Sequence, residues 1–234
     1  MCQLKSCLVL KDRVYCPDYD HHQDMLDKLG IKDDYLGASK TFVRVELLPP
    51  GGVKSLMEPL DRWTLKVDQD VTPEWWDAEA DRPRVEEAVE AWRREHVFTE
   101  GEHIVKAGEV YAFGSATVEA WGNAIVTAHD SATVKAYGSA TVTAWDSARV
   151  TAWENATVIA GGSATVEAWD SATVKAYGRA TVTAWDSVMV TAYDNTTVKA
   201  YNGATVKAYN YSTAVYPQKN KIVYPAGWTA ETHD

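Results

Sequence analysis

From Ser115 to Asn210 apolar and polar positions recur with a period of eight: SATVEAWG, NAIVTAHD, SATVKAYG, SATVTAWD, SARVTAWE, NATVIAGG, SATVEAWD, SATVKAYG, RATVTAWD, SVMVTAYD, NTTVKAYN, GATVKAYN. That is about twelve copies, and a weaker one, AGEVYAFG from Ala107, leads in. Numbered S1-A2-T3-V4-x5-A6-W7-D8, the octad holds Ala, Val and Ala at positions 2, 4 and 6, and Thr, a variable residue and an aromatic at 3, 5 and 7. Strict alternation predicts a strand with two unlike faces. Position 5 carries Glu119, Lys135, Glu167, Lys175, Lys199 and Lys207, and unpaired charges are costly to bury. The Ala-Val-Ala side therefore faces inward and the Thr-x-aromatic side outward. Positions 8 and 1 supply Gly-Ser, Asp-Ser, Asp-Asn and Asn-Gly, which are turn residues.

Two backbones fit this pattern. An antiparallel meander would leave its Val face uncovered unless it closed or paired. A parallel β-solenoid with about two octads per coil lets two Ala-Val-Ala faces meet across a thin core, and is preferred for that reason. The unit SATVKAYG occurs at Ser131 and again at Ser171, five octads later. An odd shift moves a strand to the opposite side of the coil, so both sides accept the same unit. Six or so coils at about 4.8 Å make a rod near 30 Å long. Its open ends are strand edges that need caps. The lead domain is expected at one end and the tail YSTAVYPQKNKIVYPAGW at the other.

The first hundred residues have mixed periodicity. CQLKSCLVL, a Lys11-Asp12-Arg13 turn and VYC read as a hairpin. Asp20 is placed to cap a helix through HHQDMLDKL that ends at Gly30. Thr41–Leu48 and Trp63–Asp70 read as strands, Thr72-Pro73-Glu74 as a helix start, and Pro83–His96 as a further helix with Val85, Ala88, Val89 and Trp92 on one stripe. The predicted architecture is mainly β: an α+β capping domain over 1–106, a two-sided solenoid over 107–214, and a tail over 215–234.

Composition narrows the partners. The formal charge of −10 is concentrated in residues 1–106, with 15 basic and 22 acidic side chains, while 107–214 hold 6 and 9. Nonspecific binding to nucleic acid or to an anionic membrane needs clustered Lys and Arg, so neither partner is expected. The start has only a short apolar run, which predicts no signal peptide and no membrane span. Three cysteines, Cys2, Cys7 and Cys16, make no disulfide framework. The expectation is a soluble, reduced, cytoplasmic protein with no cofactor.

Three places hold candidate chemistry. The first is the outward aromatic set, with Trp121, Tyr137, Trp153, Trp169, Trp185 and Tyr201 on one side and Phe113, His129, Trp145, Tyr177, Tyr193 and Tyr209 on the other. Stacked ladders stabilise a solenoid by themselves, and a long aromatic-and-Thr surface is also a binding face. An ice-binding surface would need a uniform Thr-x-Thr row, which the mixed position 5 does not provide. The second is Cys2, whose thiol would stand beside a free α-amine once Met1 is removed. Followed by a hairpin and Asp20, it resembles the start of the choloylglycine-hydrolase type over some twenty residues, although the matching Arg near Asp18 and Asp20 is missing. The third is Asp18-Tyr19-Asp20-His21-His22-Gln23-Asp24, where Asp18, Asp20, His21 and Asp24 are weak metal-ligand candidates against the simpler reading of a solvated helix start. Nucleotide-binding glycine loops, zinc-cysteine pairs and a Ser-His-Asp signature are not evident.

The octads GSATVxAYGSATVTAWDSATV, with the lead words FVRVEL and KVDQDVTPEWW, resemble short-repeat β-solenoid proteins of bacteria and phages. The resemblance implies shape and assigns no activity. The functional expectation is a non-enzymatic binding or scaffold protein, partnered by itself as a homodimer through a solenoid face or end, or by an unidentified protein. A phage-encoded inhibitor of a host system is one form of this. The alternative is an N-terminal-nucleophile amidohydrolase using Cys2, with the solenoid as its oligomerisation domain.

Overall fold

The structure is a computed structural model that describes residues 5–32 and 41–217 and the strand 221–223. The chain divides into two compact units, 1–96 and 97–234.

In the first unit, β1 (Lys5–Leu10), β2 (Val14–Tyr15), β3 (Phe42–Leu48) and β4 (Thr64–Val67) form an antiparallel sheet in the order β2-β1-β3-β4. Two helices, α1 (His22–Leu29) and α2 (Ala78–His96), accompany it. Leu8 and Phe42 on one sheet face pack with Met25 and Leu26 of α1. Lys5, an odd number of residues from Leu8 and so on the opposite face, lies 4.8 Å from the Trp92 ring of α2. With helices on both faces, β3 buries residues of both parities: Phe42, Val43, Val45, Glu46 and Leu47. Gly30 ends α1 with φ 67°, the left-handed geometry expected at that position.

Three local expectations change. Asp20 does not cap α1, whose start has no side-chain cap; its carboxylate accepts instead from Lys5 Nζ at 2.8 Å and from the Ser6 amide at 3.2 Å. Thr72-Pro73 opens only a turn, closed by Trp76 N to Pro73 O at 3.0 Å. The long helix starts at Ala78, where Asp77 Oδ1 accepts from the Glu79 and Ala80 amides at 2.9 and 3.0 Å. It then runs through Pro83 to His96. Finally, the reduced state expected for the cysteines does not hold for Cys7 and Cys16, which are joined in a disulfide with Cα atoms 4.4 Å apart. The antiparallel β1–β2 register explains the pairing: Leu8 lies opposite Tyr15, so Cys7, one residue before, comes opposite Cys16, one residue after.

The second unit is a parallel β-solenoid of about 7 turns with 16 residues per turn. A first sheet stacks Glu102–Val105, Thr117–Ala120, Thr133–Ala136, Arg149–Ala152, Thr165–Ala168, Thr181–Ala184, Thr197–Ala200 and Thr213–Tyr216, ending in an antiparallel strand, Lys221–Val223. A second sheet stacks Val97–Phe98, Glu109–Ala112, Ile125–Ala128, Thr141–Ala144, Thr157–Ala160, Thr173–Ala176, Met189–Ala192 and Thr205–Ala208. Like pairs with like: Thr133 lies beside Thr117 and Arg149, and Val134 beside Val118 and Val150. The two recurrent SATVKAYG units fall in different sheets, at Thr133–Ala136 and Thr173–Ala176. The stack begins ahead of the first octad. Its opening rungs pair Val97 with Tyr111 and Glu102 with Thr117, offsets that the period of eight does not contain.

The inward assignment is seen up to the last octad, where Val206 and Ala208 are half-buried. The Ala and Val residues at positions 2, 4 and 6 from Ala112 to Val198 are at most 2% exposed and form one continuous core. Small side chains are what a coil this thin can hold at interior packing density. Where position 2 is polar, the hydroxyl turns back to the preceding corner: Thr196 Oγ1 donates to Tyr193 O at 2.6 Å and Ser212 Oγ to Tyr209 O at 2.7 Å.

Candidate functional site: the outer surface of the solenoid

Each octad forms a strand only over positions 3–6, so position 7 lies at the corner and position 8 beyond it. Position 8 is left-handed at every corner from Gly114 to Asn210. The non-glycine cases are Asp130, Asp146, Glu154, Asp170, Asp186, Asp194, Asn202 and Asn210, with φ between 52° and 60°. Asp and Asn tolerate this region better than other side chains, which explains the Gly/Asp/Asn choice. The amide of position 1 continues the ladder to the coil before, as in Ser147 N to Asp130 O at 2.9 Å. The carboxylates of position 8 add a second bond, accepting from the position-8 amide of the preceding coil: Asp130 from Gly114 at 3.2 Å, Asp170 from Glu154 at 3.1 Å, and Asp194 from Gly178 at 3.2 Å.

The aromatic set occupies two corner columns, and its rings stack on one another along the solenoid. In the first column Trp121, Tyr137 and Trp153 are separated by 4.1 and 4.6 Å, and Trp169, Trp185 and Tyr201 by 3.8 and 5.6 Å. In the second, Phe113 stacks on His129 at 5.3 Å, and Tyr177, Tyr193 and Tyr209 follow one another at 5.0 and 5.1 Å. Interplanar angles of 2° to 14° mean that ring faces meet ring faces and ring edges point outward. Trp145 is different: its indole lies over Gly161, where a Cβ would sit. That is why the octad NATVIAGG carries no ring at position 7. His129, buried in its column, places Nδ1 3.1 Å from an Asp146 carboxylate oxygen.

The flat faces between the columns are lined by positions 3 and 5. On the first sheet Lys135 stands in register with Glu119, their charged ends 3.0 Å apart. The hydrogen bond and charge of Glu119 hold the ammonium pKa above its ordinary value.

The other candidates are dispersed. Cys2 lies outside the described residues. Asp18 pairs with His96 Nε2 at 3.1 Å, Asp20 with Lys5, and Asp24 with His21 at 3.5 Å. These carboxylates therefore answer protein groups separately, and among the described residues no group of three or more His, Cys, Asp or Glu converges on a metal position. Sequence reasoning missed the network behind Asp20. Lys5 is fully buried, donates to Pro17 O and Asp20, and lies over Trp92, which stacks on His96 at 5.1 Å. A lysine opening an apolar strand was the available signal. Among the described residues no helix is long and apolar enough to cross a membrane. Comparisons of the chain with protein-family models, curated proteins and solved structures find no match.

Proposed function

We propose that this chain is a non-enzymatic scaffold that acts by surface association, its solenoid presenting a rigid, repeated face to a second copy of itself or to a protein partner. The observation that supports this is the unbroken register between octad strands. It holds the outward side chains of positions 3 and 5 in straight files one strand apart, from Ile125 to Thr205 on one sheet and from Thr117 to Thr197 on the other. Such a surface is ordered before any partner arrives, so little side-chain or loop freedom remains to be lost on docking. The aromatic columns serve the same end from the corners, bracing coil against coil and presenting ring edges beside each face.

Sedimentation equilibrium of the full chain over a wide concentration range tests the self-association part. The expected result is a reversible shift from monomer towards dimer. A strict monomer throughout contradicts it.

A further inference from the structure

The two sheets accept the same octads, yet their outward faces differ. The middle of the first sheet carries Glu119, Lys135, Arg149 and Glu167. The second carries a single outward charge, Lys175, between Ile125 and Thr191, and it exposes Ile125 by 44% and Met189 by 57%. Its ends carry opposite charges, Glu109 on the strand before Ile125 and Lys207 on the last strand.

These positions form a self-complementary series about the strand Thr157–Ala160. Successive strands of this sheet are in exact sixteen-residue register. A two-fold axis along that central strand, in the plane between two facing copies, therefore reverses the strand order and keeps positions 3 and 5 opposite themselves. Ile125 then meets Met189 of the second copy, and Ile159 meets its own copy on the axis. Glu109 arrives beside Lys207, which is opposite the neighbouring position 5. The remaining outward lysine, Lys175, falls opposite Thr143, whose hydroxyl can accept from it. An isologous contact needs this kind of matching, and opposite charges at the rim fix its register. The same operation along either middle strand of the first sheet, Arg149–Ala152 or Thr165–Ala168, would set Arg149 or Glu167 against its own copy, and like charges facing each other repel.

We propose that the second sheet is a homodimer interface, closed face to face by a two-fold axis along Thr157–Ala160. This rests on the self-association reading above and names its surface. Seven strands at about 4.8 Å by four residues at about 3.3 Å give a footprint of roughly 450 Å² per copy in projection. Two copies together cover roughly 900 Å² in projection, below the about 1,200 Å² at which stable specific dimers begin. A weak, reversible dimer is expected.

The test is light scattering of the full chain across a concentration series, with melting curves confirming that each variant folds. Ile159→Lys sets two ammonium groups against each other on the axis and is expected to raise the dimer Kd by roughly 30-fold or more. Ile159→Thr, the residue already present at Thr127 and Thr143, should weaken it by a smaller factor. Thr151→Lys, at the same octad position on the first sheet, should leave Kd within about 2-fold. Lys207→Glu should weaken the dimer, and adding Glu109→Lys in the same chain should restore it. A wild-type chain that never dimerises overturns the self-association reading and this inference together. A dimer that survives Ile159→Lys, or that Thr151→Lys breaks instead, overturns the interface and leaves self-association standing.

Discussion

At the residue scale, each corner combines a backbone demand with a packing demand. Position 8 must turn left-handed, and position 7 must place a ring above the ring of the coil before. Both demands can be read from the octad, since Gly, Asp and Asn recur at 8 and aromatics at 7. Gly161 and Glu154 are the exceptions, and the structure separates them. Glu154 holds φ 58° without the local advantage of Asp or Asn, while its Oε2 accepts from the Gly138 amide at 2.6 Å. Glu154→Asp should keep that bond in the geometry used at Asp170 and raise stability by about 0.5 kcal/mol, readable as a small rise in Tm. Gly161 is empty because Trp145 fills its space. Gly161→Ala should cost about 1–3 kcal/mol. In a Trp145→Ala background the same substitution should cost much less, giving a clear coupling in a double-mutant cycle by chemical denaturation. Additive losses would show that the indole is not the obstacle.

At the element scale, alternation decides everything in the octad strands. Val158 and Ile159 are adjacent in sequence, yet Val158 is fully buried and Ile159 half-buried on the outer face. Val158→Ala removes two buried methyl groups and should cost about 2 kcal/mol, counting the space it leaves. Ile159→Thr should change the stability of the monomer by no more than about 0.5 kcal/mol. Equal losses would contradict the inside–outside assignment. This assignment was legible because one strand pattern repeats often enough to show its own period. The lead unit was less so. Helix and strand signals there compete with tertiary partners that sequence spacing does not reveal: Lys5 takes the carboxylate of Asp20 away from the helix start, and Asp77 rather than Thr72 caps the long helix. The pairing of Cys7 with Cys16 follows from a two-residue strand whose register only the fold displays.

At the scale of the whole molecule, the opening and closing rungs of the solenoid depart from the octad. Val97–Phe98 and Glu102–Val105 join the sheets without its spacing or composition, so the sequence period begins later than the stack. At the other end, Lys221–Val223 reverses direction and pairs antiparallel with Thr213–Tyr216, covering that edge of the first sheet. Exposed edges template further pairing, and an antiparallel closing strand is one way to stop a parallel stack. Between these ends, equivalence of the coils does not make the two faces equivalent. Swapping octads preserves the fold, while the choice of residue at positions 3 and 5 puts Glu119, Lys135, Arg149 and Glu167 in the middle of one face and Lys175 alone in the middle of the other. Specificity can therefore reside on a repetitive surface through the order of its units.

Association of the molecule through one outer face of its solenoid can be read out by site-specific photo-crosslinking of the full chain. A photoreactive amino acid replaces Thr157 on the second sheet or, in a separate protein, Thr165 on the first. A covalent dimer is expected from position 157 and almost none from position 165. Crosslinking from 165 alone, or from neither position at concentrations where light scattering detects dimer, would contradict it.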